Sequence, residues 1–89
     1  MNLQHRPQLT SRLTFRERDG AIVATRKGES RAYILNAAGV VILEFCDGER
    51  TVHQLAEIIQ IEFSLPEPPI ADVWAFISEA TKSGLIHAD

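Results

Sequence analysis

Tyr33-Ile-Leu-Asn-Ala-Ala-Gly-Val-Val-Ile-Leu-Glu-Phe-Cys-Asp-Gly48 joins a short β-prone run, an asparagine, an apolar helical stretch and an Asp-Gly turn. Directly after it, Glu49-Arg-Thr-Val-His-Gln-Leu55 reads as the capped start of another helix. Asn36 suits an N-cap, because its side chain can accept an orphan amide hydrogen of the first turn. The spacing predicts a helix from Ala37 to about Cys46 that buries Val41, Ile42 and Phe45. Gly39 within it costs ~1 kcal/mol relative to alanine, which marks a close backbone approach. Asp47-Gly48 ends the helix, with Gly48 suited to a left-handed C-terminal position. Thr51-Val-His-Gln54 has the form of a capping box, the clearest helix start in the chain. This unit sets the edge of a small sheet against helices, and such an edge can receive a peptide.

Upstream, residues 1–11 lack periodicity, and His5-Arg6-Pro7 reads as part of an extended N-terminal arm. Leu13-Thr-Phe-Arg-Glu-Arg18 alternates as a strand, and Asp19-Gly20 is a hairpin signal because both residues tolerate positive φ. Ala21 to Thr25 and Arg31 to Leu35 complete an antiparallel meander around a Lys27-Gly28-Glu29-Ser30 turn. Downstream, Val52, Leu55, Ile58, Ile59 and Phe63 form the apolar stripe of the second helix. Leu65-Pro66-Glu67-Pro68-Pro69 cannot be helical in its interior and serves as the connection. A third helix runs from Pro69 or Ile70 to Ser83, with Val73, Phe76, Ile77 and Ala80 on one face and Gly84 as its stop. Leu85-Ile86 packs down after it, and the last residues fray. The expected fold is α+β and winged-helix-like, a three-stranded antiparallel sheet followed by three helices. Residues 12–89 form its single domain.

At 89 residues the chain can bury one modest core without disulfides or metal. No apolar run approaches the length of a membrane span, and no signal-peptide pattern opens the chain. The single cysteine, Cys46, lies in an apolar helical pattern and reads as a buried thiol, which fits a cytoplasmic location. Charge is segregated. Residues 1–31 hold seven Arg or Lys against three acids, whereas residues 32–89 hold two against nine. The simple reading is two solvated faces of opposite sign; the sharper one is a strand side that attracts an acidic partner.

The residues offer little for catalysis. His5, His53 and His87 are scattered and Cys46 stands alone, so no metal site is expected. His53 and Glu57 are one helical turn apart and read as an exposed neighbour pair. Asp47 and Glu49 flank a glycine, but the other ligands of a calcium loop are absent. No nucleophile context, phosphate-cradling loop or carboxylate pair suggests an enzyme, and no cofactor is expected. Two helices beside a small sheet also have the outline of a DNA-binding winged helix. Against it, the third helix offers one lysine, one aspartate and one glutamate, the wrong charge for meeting phosphates. Peptide binding remains. The third strand, where it lies at the sheet edge, can pair with an extended peptide, and Trp74 with Ser78, Thr81 and flanking Ile77 forms a semi-polar strip suited to a neighbouring groove. Plain core packing of Trp74 is the alternative reading. Tyr33 faces either the helices or the incoming peptide.

Taken in order, Arg6-Pro7-Gln8-Leu9, Leu35-Asn36, Asp47-Gly48-Glu49-Arg50-Thr51, Asp72-Val73 and Gly84-Leu85-Ile86 resemble the PqqD family over nearly the whole chain. The resemblance implies a non-catalytic peptide chaperone that binds the leader of a ribosomally made precursor peptide and presents it to a modifying enzyme. In pyrroloquinoline quinone (PQQ) biosynthesis that enzyme is a radical SAM protein; in related pathways it is another maturase, or a leader peptidase as for lasso peptides. The family's binding mode adds the leader as a strand beside the third strand and third helix. Carried over, it points to Arg31, Ala32, Tyr33, Ile34 and Leu35 for backbone pairing, and to Trp74, Ile77, Ser78 and Thr81 as groove residues. The segment Ala21 to Ser30 lacks the Pro-Glu expected of dedicated PQQ members, which leaves the pathway open. No nucleic acid or membrane partner is expected, and the exposed edge leaves a homodimer or strand swap open.

Overall fold

The computed structural model describes residues 3–10 and 12–87. In chain order its elements are β1 (Gln8–Leu9), β2 (Leu13–Arg18), β3 (Ala21–Arg26), β4 (Ala32–Leu35), α1 (Ala37–Glu44), α2 (Val52–Glu62), α3 (Ile70–Lys82) and β5 (Ile86–His87). The meander β2-β3-β4 is antiparallel throughout, with Leu13 opposite Arg26 and Ile22 opposite Leu35. Asp19 and Gly20 both take positive φ, 52° and 81°, so the hairpin turn twists with its strands. Three strands followed by three helices is the expected α+β arrangement. The two-residue ribbon β1-β5 is an addition that the sequence pattern did not reveal.

The caps explain where the helices start. Asn36 Oδ1 accepts the Gly39 amide at 2.8 Å. Thr51 and Gln54 exchange both bonds of a capping box, at 2.9 and 3.1 Å. Helix α1 is shorter than its apolar pattern suggested. The Phe45 amide is shared between the Val41 and Ile42 carbonyls, which tightens the last turn and frees Cys46 to drop into the core. Its deepest residues are Ile42 and Leu43; Val41 and Phe45 are only half-buried, Phe45 beneath the Arg50 guanidinium at 4.9 Å.

The core lies between the inner face of the sheet and the three helices. Leu13 and Ala24 meet Ile42, Leu43, Val52, Leu55, Ile59, Val73, Ile77 and Ile86 there. Residues 3–10 cross the α1-α2 junction instead of projecting from it. The first two amides of α2, Val52 and His53, donate to the carbonyls of His5 and Leu3 at 3.0 and 3.3 Å. Orphan donors at a helix start are thus satisfied by the chain's own N-terminal segment. Pro7 is fully buried in this packing.

Candidate functional site

Strand β4 is an edge of the three-stranded sheet: β3 lines one side, and among the described residues no strand pairs with the other. An edge of this kind carries backbone donors and acceptors that a further strand can satisfy. Its side chains alternate. Tyr33 and Leu35 turn toward the helices, while Ala32 and Ile34 face outward, Ile34 with 79% of its surface exposed.

Helix α3 runs beside this edge. Val73, Ile77 and Ala80 form its buried stripe, as their helical spacing requires. One flank of that stripe, Phe76, Glu79 and Ser83, faces β4 and encloses with Tyr33 and Leu35 a groove of about 350 Å³ floored by Ala80 and Leu85. Gly39 is the reason Phe76 sits where it does. A Cβ on Gly39 would lie 2.9 Å from the Phe76 ring, so the glycine expected to mark a close approach does so against this residue.

Ala32, Tyr33, Ile34 and Leu35 all line the groove. Arg31 stands at its end, with its guanidinium 6.0 Å from the Tyr33 ring centre. The helix residues selected from the sequence are placed elsewhere. Ile77 is 3% exposed and belongs to the core. Trp74, Ser78 and Thr81 lie on the flank of α3 opposite Phe76 and Glu79, since residues four or seven apart share a face and residues two apart do not. The Trp74 ring packs 6.1 Å from the His5 ring, and the Thr81 hydroxyl donates to the Ile77 carbonyl at 2.7 Å. The 3.6-residue period identifies a buried stripe but does not distinguish its two flanks. Phe76, on one face with Val73, Ile77 and Ala80 by its spacing, is only half-buried, and this makes it a groove wall.

The groove carries acid on the helix side, from Glu79, and base at the strand end, from Arg31. On the outer face of the sheet Arg16 and Arg18 flank a shallow depression with Val23, Thr25 and Ala32. Reactive chemistry is remote from both. Burial, aided by neighbouring Asp47, pushes the Cys46 thiol up to about 12, which favours the protonated form at neutral pH. Asp47 is held below the usual carboxylate range, first by the Glu49 amide and then by Arg50, and closes the turn before α2. His53 and Glu57 form the exposed pair their spacing suggested, at 3.4 Å.

A family profile described as Coenzyme PQQ synthesis protein D (PqqD) matches residues 20–86, about three quarters of the chain. The chain belongs to the PqqD family. The match includes β3, β4 and all three helices, and therefore both walls of the groove. Among curated proteins, the chain is 38% identical over 58 residues to the PqqA binding protein of Gluconobacter oxydans (strain 621H), a stretch covering 64% of this chain. That stretch spans 60% of the relative's own length. No solved structure gives a significant match. Among the described residues no helix is long and apolar enough to cross a membrane.

Proposed function

We propose that this protein is a non-catalytic recognition element of PQQ biosynthesis that binds a PqqA-type precursor peptide and presents it to a modifying enzyme, a radical SAM protein. The peptide adds as an extended strand to the open edge of β4 and packs its inward side chains into the groove against α3. The observation that carries this reading is the position of an unpaired sheet edge directly beside an apolar-floored groove, in a chain of the PqqD family. Main-chain pairing supplies affinity with little demand on sequence, and pockets for alternate side chains supply selectivity. Phe76, Ala80 and Leu85 offer apolar contact, while Arg31 at the strand end favours an acidic peptide residue.

A DNA-binding reading fares worse on charge. The exposed groove flank of α3 presents Asp72 and Glu79, and the nearby Lys82 lies 3.8 Å from Glu79. Titration of isotopically labelled protein with the synthetic PqqA peptide of Gluconobacter oxydans tests the proposal. Amide shifts should cluster on residues 31–35 and on the Phe76 flank of α3. Shifts confined to the Trp74 flank, or a salt-sensitive gel shift with duplex DNA and none with peptide, would overturn it.

A further inference from the structure

Phe76 has a second side. Beyond it, toward the start of α3, lies an apolar chamber of about 400 Å³ lined chiefly by Ile42, Ile59, Phe63, Leu65 and Phe76. Asn36 and Asp72 are its polar members, and Asn36 already accepts the Gly39 amide. The chamber adjoins the groove beside β4: Phe76 is a wall of both, and the consecutive residues Leu35 and Asn36 line one each. Its rim is unusually open for apolar residues: Phe63 is 41% exposed and Leu65 36%. Phe63 continues the apolar period of α2 and Phe76 that of α3, so helical spacing assigns both to the core. Both remain solvent-accessible around one cavity, and local rules broken together in one place mark a functional surface.

We infer that this chamber is an anchor subsite for one bulky apolar side chain, aliphatic or aromatic, of the same peptide that pairs with β4. The inference rests on the peptide-binding reading above. Adjacency to the groove across Phe76 names the occupant, and dimensions locate it. From Ser83 to Pro69 the α3 wall is about 21 Å long at 1.5 Å per residue, enough for six or so residues of extended chain at about 3.3 Å each. The four residues of β4 account for about 13 Å of this length. The anchor therefore falls about two or three residues beyond the last paired residue, past the Leu35 end of the strand. An apolar side chain leaving water there strengthens binding by about ten- to a hundredfold.

The test uses the full chain and the synthetic PqqA peptide of Gluconobacter oxydans, together with peptides in which each large apolar residue is replaced singly by serine. Affinities are measured by fluorescence anisotropy for the wild type and for a Phe63→Ser/Leu65→Ser variant, whose fold is checked by amide spectra. One serine peptide is expected to lose about tenfold or more against the wild type and to lose almost nothing further against the rim variant. Methyl spectra of the wild type, which need no variant, should show the Ile59 and Leu65 methyls shifting with intact peptide and not with that serine peptide. Peptide bound at β4 with equal affinity for rim variant and wild type, and with silent Ile59 and Leu65 methyls, overturns the anchor alone. Absence of any peptide binding by the wild type overturns the parent reading and the anchor with it.

Discussion

The two flanks of α3 each carry one aromatic residue and face different parts of the molecule. On one, Trp74, Ser78 and Thr81 lie toward the N-terminal segment, where the Trp74 ring rests on His5 and the Thr81 hydroxyl is bound to its own helix. On the other, Phe76, Glu79 and Ser83 face an open strand edge. The aromatic residue on the first flank closes the fold by packing on residues 3–10. On the second it is half-buried, with the Gly39 backbone of α1 close against its ring. An amphipathic aromatic is therefore no guide to a binding surface until its neighbours are known: Trp74 has the chemistry of an anchor and the position of a staple.

Phe76→Ala should separate the flanks most sharply. It removes the shared wall of groove and chamber, and PqqA-peptide affinity by anisotropy should fall about ten- to a hundredfold. Gly39→Ala comes next. The added methyl would lie 2.9 Å from the Phe76 ring, which must shift from its place in the groove wall, so peptide affinity should drop about fivefold, as for ~1 kcal/mol. Helix propensity, worth ~1 kcal/mol in favour of alanine, offsets the strain, and the melting temperature should change little. Arg31→Ala tests the charge at the strand end. A loss of at most about fivefold at low salt, vanishing at high salt, is expected of an exposed charge contact. Smallest is Trp74→Ala, which should alter peptide affinity by less than about twofold while lowering stability by about 2 kcal/mol, measured by denaturant melts. Equal affinity losses for Trp74→Ala and Phe76→Ala would remove the distinction between the flanks.

Much of the fold could be read from sequence because its signals are local. The Asn36 cap, the Thr51-Gln54 box and the Asp19-Gly20 turn each act within a few residues, and each takes the form its residue types favour. Residues 3–9 also carry a readable sign, hidden within a segment that otherwise lacks periodicity. Leu3, His5, Pro7 and Leu9 turn inward while the intervening residues are exposed, a period of two. A proline and a histidine in the inward set concealed it. Ala32 to Leu35, the strand wall of the groove, could be read as a strand for the same local reason; which helix residues face it could not.

The sequence by itself determined the three-stranded meander, the three helices, the caps of α1 and α2, the turns, the buried stripe of α3 and the family resemblance. Tertiary structure alone decided which flank of α3 meets β4, and with it the exchange of Trp74 for Phe76 as the groove aromatic. It also decided that Phe63 stays open at a chamber and that residues 3–10 satisfy the start of α2. The physical reason is range. Caps, turns and periodicity depend on residues within one or two turns of each other, whereas the side of a helix that faces a strand depends on how distant segments pack and on what already occupies the opposite side.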